Sequence, residues 1–173
     1  MQYKTFETER LIIRPTAEDD AAFICKLVNT PKWRRYIGDR NIKTVEDAEE
    51  YIKERMKPQL ERLGFSNYTL IRKEGNQKIG TCGLYDREGV EGIDIGFALL
   101  PEHEKKGFAF EASNRILTAA FDEFEIETIS AYTTKDNTSS QKLLEKLGLK
   151  NKGTTMLPND DEELIVYRIE KFQ

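Results

Sequence analysis

The chain has 173 residues, 38% hydrophobic and 34% charged, with 27 Lys and Arg against 31 Asp and Glu for a net charge of −4. That length suits one domain over residues 1–173, and the supply of Ile, Leu and Phe is too large for a disordered chain. No dense basic run favours duplex nucleic acid, and the longest apolar stretch, residues 95–100, is far short of the about 20 residues a membrane helix needs.

Two cysteines, Cys25 and Cys82, stand in no metal-ligand or redox spacing, and the single histidine, His103, argues against a zinc site. No metal is expected. Without the apolar core of a signal peptide at its start, the chain reads as reduced and cytoplasmic, a monomer or homodimer.

Residues 10–15 predict a strand stopped by Pro15. Thr16 with Asp19 resembles a capping box, opening a helix whose Phe23, Ile24, Leu27 and Val28 share a face and which closes at residues 29–31. Residues 33–40 read as an irregular or short helical connection. Thr44 with Asp47 starts a second helix with Val45, Ala48, Tyr51, Ile52, Leu60 and Leu63 on its apolar stripe, and Pro58 should kink or split it. The period then changes to that of strands. Residues 68–72 and 78–85 form a hairpin about 74–77, a second turn covers 87–92, and a fourth strand over 93–100 ends at Pro101. Ile116, Leu117, Ala120, Phe121 and Phe124 mark an amphipathic helix, and residues 128–134 a buried strand. A short helix over 139–147 stops at Gly148, and two more strands surround residues 158–161. The sum is a single mixed α/β domain of the α+β class.

The most informative stretch is 94–112: strand, proline stop, charged loop, glycine, helix. Gly107 permits backbone angles closed to other residues, and Ala109 keeps the helix start narrow. Unpaired N–H groups at that helix start, with Lys105 and Lys106 beside them, suit a phosphate or pyrophosphate. An ordinary solvated loop is the alternative.

The motif Glu104-Lys-Lys-Gly-Phe-Ala109 resembles the phosphate loop of the GCN5-related N-acetyltransferase (GNAT) superfamily. Thr8-Glu-Arg-Leu-Ile-Ile-Arg-Pro15, Asp94-Ile-Gly-Phe97, Asp136-Asn-Thr-Ser-Ser140 and Leu144-Glu-Lys-Leu-Gly148 look like its RimJ/RimL-type branch, which acetylates ribosomal proteins. The ordered set, spanning residues 8–148, carries the resemblance. It implies a mostly antiparallel central sheet, flanked by helices and splayed between the fourth and fifth predicted strands. It also implies an acetyl-CoA-dependent N-acetyltransferase working through a ternary complex. On that resemblance the loop of Glu104, Lys105, Lys106, Gly107, Phe108 and Ala109 holds the CoA pyrophosphate through backbone N–H groups. The pantetheine arm pairs like a strand with Phe97, Ala98 and Leu99. The N–H near Ala98 then holds the oxyanion, a contribution of about 3–4 kcal/mol to lowering the barrier. Asn137 and Ser140 contact the cofactor, although an Asn before a helix is equally a cap.

Two departures from the family stand out. Glu104 replaces Gln or Arg, putting a carboxylate near a pyrophosphate unless it turns outward. Leu144 replaces the tyrosine that protonates the departing thiolate, leaving Ser140 or a water for that role. Asp94 stands where relatives carry a glutamate base. It could take the amine proton through one water, or be an outward polar residue of an alternating strand. An α-amine of pKa about 8 is roughly one-tenth neutral at pH 7, a lysine amine only about one part in 2,500. An α-amine therefore manages with a weak base.

Tyr85 and Tyr132 read as acceptor lining or core, Trp33, Arg34, Arg35 and Tyr36 as acceptor-shaping or solvated. His103 reads as an exposed loop residue, and Glu111 carries no chemistry. The acceptor is a protein N-terminus or a small amine, with no nucleic acid and no membrane. A non-catalytic acyl-CoA-binding module and a plain interaction domain are the competing readings.

Overall fold

The computed structural model describes residues 2–172. Its strands are β1 (Phe6–Glu7), β2 (Leu11–Pro15), β3 (Asn67–Arg72), β4 (Gln77–Asp86), β5 (Ile93–Leu99), β6 (Thr128–Thr134), β7 (Lys150–Thr155) and β8 (Leu164–Glu170). They form one eight-stranded sheet in the order β1-β2-β3-β4-β5-β6-β8-β7. Every neighbouring pair is antiparallel except β5 and β6. The fourth and fifth predicted strands are thus β5 and β6, because the two-residue β1 is too short to show a period. The helices are α1 (Ala21–Val28), α2 (Pro31–Tyr36), α3 (Val45–Tyr51), α4 (Lys57–Leu63), α5 (Phe108–Asp122) and α6 (Thr138–Lys146). Among the described residues no helix is long and apolar enough to cross a membrane.

Helix α5 lies against β4 and β5. Its small Ala112, Ala119 and Ala120 allow close approach, while Phe108 and Ile116 fill the core with Leu11, Leu70, Ile79 and Leu84. Each such side chain, fully buried, contributes about 1.5–3 kcal/mol. A second cluster joins α1 and α3 through Ile24, Val28, Ala48, Ile52 and Met56.

The long helix expected after Thr44 is split, as Pro58 requires. Between α3 and α4 lies a π turn (Ile52–Met56), whose wider winding accommodates a proline lacking an N–H. Ala48, Ile52 and Leu60 of the expected stripe are buried, but Val45, the first residue of α3, is 41% exposed. The capping box at Thr44 is present, with Asp47 N–H donating to Thr44 Oγ1 at 3.0 Å and Thr44 N–H to Asp47 Oδ2 at 3.0 Å.

The first helix departs from expectation. Asp20, not Asp19, turns back to accept the Ala17 N–H at 2.9 Å, and the Thr16 hydroxyl pairs with Thr69 at 2.8 Å. Asp20 is recruited because cations converge on it. Arg14 binds both carboxylate oxygens at 2.7 and 2.8 Å, and Lys78 approaches one at 2.7 Å. Burial alone would push this carboxyl up, but the Arg14 and Lys78 hydrogen bonds outweigh it and hold the carboxyl far below the usual range. One fully buried carboxylate thus joins β2 and β4 to the start of α1.

Asp20→Asn leaves two cations half-stranded, and we expect a loss of about 3 kcal/mol, or roughly 6–12 °C in Tm. Because the folded-state pKa is depressed, this stabilisation is complete above about pH 4 and disappears as pH falls further. The gap between wild type and variant in thermal unfolding should therefore close in acid. A gap that persists unchanged at pH 2–3 counts against the ionic account.

Candidate active site

Strands β5 and β6 pair only at Ile93 with Ile129 and Asp94 with Ser130, and then part. The gap between them opens into a cleft of about 720 Å³, lined by Ile95 to Leu99 on one side and Ala131 to Thr133 on the other.

Which backbone groups face that cleft follows from the ladder with β4. Thr81 pairs with Ala98 and Cys82 with Phe97, in unbroken register. Leu100 donates its N–H to the Ile79 carbonyl at 2.8 Å. Direction alternates along a strand, so Ala98 also turns its backbone groups toward β4. The close approach of the Ala98 carbonyl to Gly80 agrees, since a Cβ at Gly80 would lie 2.3 Å from that oxygen. The expectation of an oxyanion donor at Ala98 is corrected accordingly. Phe97 and Leu99 are the residues whose N–H and C=O groups open onto the cleft.

At the end of β5, Pro101–His103 forms a 3-10 turn. Lys105 (φ 60°) and Gly107 (φ 84°) both take left-handed angles before α5. The first intrahelical bond runs from Glu111 N–H to the Gly107 carbonyl at 3.0 Å, so the N–H groups of Phe108, Ala109 and Phe110 have no helical partner. The opening Thr8-Glu-Arg motif holds this loop in shape. Arg10 donates to the Lys106 carbonyl at 2.9 Å and to Glu111 Oε1 at 2.7 Å, while Thr8 Oγ1 donates to Glu111 Oε2 at 2.5 Å. The Arg10 guanidinium also lies over the Phe108 ring, 4.1 Å from its centroid. Glu111 is therefore a structural anchor. Burial raises its pKa, but bonds from Thr8 and Arg10 outweigh this and lower it. Glu104 does not simply turn outward; it is ion-paired with Lys32 of α2, which neutralises its charge.

Asn137 Oδ1 caps α6, accepting the Ser140 N–H at 3.2 Å. Asn137 and Ser140 also line the cleft; Leu144 lies at its wall too, but at 1% exposed it is part of the core. Asp94 is not outward-facing: it is 3% exposed and held by Arg87 through two bonds of 2.8 and 3.0 Å. Burial pushes its carboxyl up and Arg87 opposes this, with a net rise. Tyr85 and Tyr132 line the cleft with the Arg87 guanidinium about equally near both rings, 5.9 and 6.0 Å from their centroids. Tyr85 lies across β5 where Gly96 leaves room; a Cβ there would meet the ring at 3.0 Å. Its hydroxyl donates to Asn67 Oδ1 at 2.5 Å. Trp33 and Tyr36 reach the lining, but Arg34 bonds Asn29 and Arg35 bonds Asp136. His103, expected in solvent, is buried, and burial depresses its pKa; it lies outside the cleft.

The cleft fits a donor of CoA type. It offers an unpaired strand edge, a helix start with three N–H groups lacking helical partners, and two buried polar atoms without protein partners, Trp33 Nε1 and Thr133 Oγ1. Arg87, Lys32 and the Arg10–Glu111 anchor escaped the sequence reading. The last pair is separated by 101 residues and leaves no local pattern.

A family profile described as the acetyltransferase (GNAT) domain matches residues 10–150, and the chain belongs to that family. An uncharacterized N-acetyltransferase p20 of Bacillus licheniformis is 32% identical over 153 residues, 87% of this chain and 84% of that one. The crystal structure of an acetyltransferase from Agrobacterium tumefaciens superposes with a TM-score of 0.83 at 22% identity, covering 99% of this chain and 96% of that one. RimL, a ribosomal L7/L12 alpha-N-protein acetyltransferase solved with coenzyme A, superposes with a TM-score of 0.82 at 15% identity, covering 96% and 98%. The protein is an N-acetyltransferase by family, and the fold is that of the GNAT domain.

Arg10→Ala removes the loop anchor. The expected loss is about 1 kcal/mol, or roughly 2–4 °C, because Arg10 is partly exposed. Amide hydrogen exchange over residues 104–108 should quicken; protection left intact there would show that the loop holds itself.

Proposed function

We propose that this chain transfers the acetyl group of acetyl-CoA to a primary amine, a protein N-terminus or a small amine, by direct attack within a ternary complex. The observation that carries this is the splay after Asp94, which places the free edge of β5 between the Gly107 loop and the Asp94–Arg87 pair. Acetyl-CoA is the donor substrate and supplies an acetyl group activated as a thioester. The N–H groups of the 105–109 loop bind its pyrophosphate, and Lys32 keeps the Glu104 charge away from it. Phe97 and Leu99 pair with the pantetheine arm, and a cleft-facing N–H of this pair stabilises the carbonyl oxygen as it gains charge. Asn137 and Ser140 complete the donor site from α6.

Asp94 accepts the proton of the attacking amine through one water, and Arg87 fixes the carboxylate in place. Each carboxylate oxygen bound to Arg87 keeps a second lone pair for that water. The new bond is N–C and the broken bond is C–S. Ser140 or a water returns a proton to the departing sulfur. The solved RimL acts on a protein α-amine, and an α-amine suits this site because a weak base suffices for it.

Thermal unfolding with acetyl-CoA, against NADH and ATP, is the first test. At a hundred times Kd the donor adds about 2.7 kcal/mol, or roughly 5–11 °C. No shift overturns the reading. Gly107→Glu should erase the shift while circular dichroism is unchanged.

Asp94→Asn should slow turnover on the order of 10²-fold below pH 8, where an α-amine is mostly protonated. The wild type should lose rate in acid as Asp94, its pKa raised, takes up a proton; the variant should lack that limb. A loss equal at every pH returns Asp94 to a structural role. Ser140→Ala should lower kcat and leave donor affinity nearly intact, and the reverse pattern makes Ser140 a binding residue.

A further inference from the structure

Among the charges lining the cleft that the proposed chemistry does not use are two arginines. Arg40, after α2, and Arg55, in the π turn, both line it. Among the described residues neither guanidinium makes an ion pair or a hydrogen bond. Every other arginine of the chain does so with a carboxylate, amide or hydroxyl side chain. The protein is acidic overall, so leaving only these two arginines unpaired, both on one cleft, is a local arrangement.

The backbone supports it. π turns are uncommon and cluster at functional sites. Here the turn buries Ile52 and Met56 while setting Arg55 at the cleft. From the other side of the splay, the connection between β7 and β8 contributes Asp160 and Glu162 to the lining, neither of them ion-paired among the described residues. Unpaired cations from segments before β3 and unpaired carboxylates from beyond β6 complement a molecule with both charges.

We propose that Arg40 and Arg55 recognise an anionic group on the acceptor, so that the acceptor is an amine carrying a carboxylate in the same molecule. An acidic peptide N-terminus and a free dicarboxylic amino acid share that chemistry. The carboxylate meets the guanidinium pair in charge-assisted hydrogen bonds, and the amine lies toward Asp94 and the acidic connection. This rests on the acetyltransferase reading for the role of the amine, though the anion site itself is defined by the two arginines.

The test uses the peptide amides Ser-Asp-Glu-Ala and Ser-Asn-Gln-Ala, with free glutamate as a third arm. Binding to the CoA-saturated protein is measured by calorimetry, and acetylation is measured separately with acetyl-CoA. The acidic peptide should bind at least about tenfold more tightly than its amide counterpart, with the preference shrinking as salt rises. In the double variant Arg40→Gln/Arg55→Gln the preference should fall close to one, and Arg55→Lys alone should keep part of it. The acetyl-CoA thermal shift reports that each variant is folded. Tighter binding of glutamate than of the acidic peptide assigns the anion to a small acceptor, and the reverse assigns it to a polypeptide. Equal binding of the two peptides by wild type, or a preference that survives in the double variant, overturns the inference. Selective binding without acetylation supports the anion site and sinks the transferase reading; acetylation without charge preference does the opposite.

Discussion

A parallel strand pair that runs for two residues and then separates is the constraint on which the rest of this molecule depends. Beyond Asp94, β5 has a partner on one side only, and its other edge lies inside the sheet. An unpaired buried N–H or C=O group costs about 1–3 kcal/mol, so zipping β6 onto β5 would ordinarily be favoured. Packing prevents it. Phe108, Ala112 and Ile116 hold β4 and β5 from below, while Leu144, Leu147 and Tyr167 hold the β6–β8 half within the same core. These apolar contacts reach the cleft wall at Phe108 and Leu144, while the unpaired edge of β5 between them stays open.

Charge is managed around the gap by pairs drawn from distant parts of the chain. Arg10 and Thr8 fix Glu111 at the start of α5, Lys32 takes the carboxylate of Glu104, and Arg87 takes that of Asp94. Each pair balances a carboxylate that would otherwise stand at or beside the cleft with its charge unopposed. Asp20 performs the same service outside the site, where it gathers Arg14 and Lys78 at a point on which two strands and a helix converge.

Much of the architecture was legible because its signals are local. Alternation exposed the strands around the 74–77 and 87–92 turns, Thr44 and Asp47 formed the cap their spacing implied, and Pro58 broke its helix. The GNAT motifs led to the loop and cleft edge. What escaped was set by partners far along the chain. Asp20 displaced Asp19 as the capping residue because Arg14 and Lys78 lie beside it only in the fold. The face that Ala98 turns to the cleft depends on strand parity, and that parity is set by the bond between Leu100 and Ile79. No pattern at His103 indicates burial, since it is covered by neighbours rather than by its own element. Arg87 read as a turn residue, and only the hairpin register brings it onto Asp94.

Helix α2 is six residues long and buries none of them. It is tied by Lys32 to Glu104 on the β5 side of the gap and by Arg35 to Asp136 on the β6 side. The helix is thus a bar across the mouth of the cleft, fastened at each end by charges that reach solvent. Screening by salt loosens such fastenings without touching the core. The hold of α2 on the two sides of the cleft therefore weakens with ionic strength in a way that the packing of the core does not.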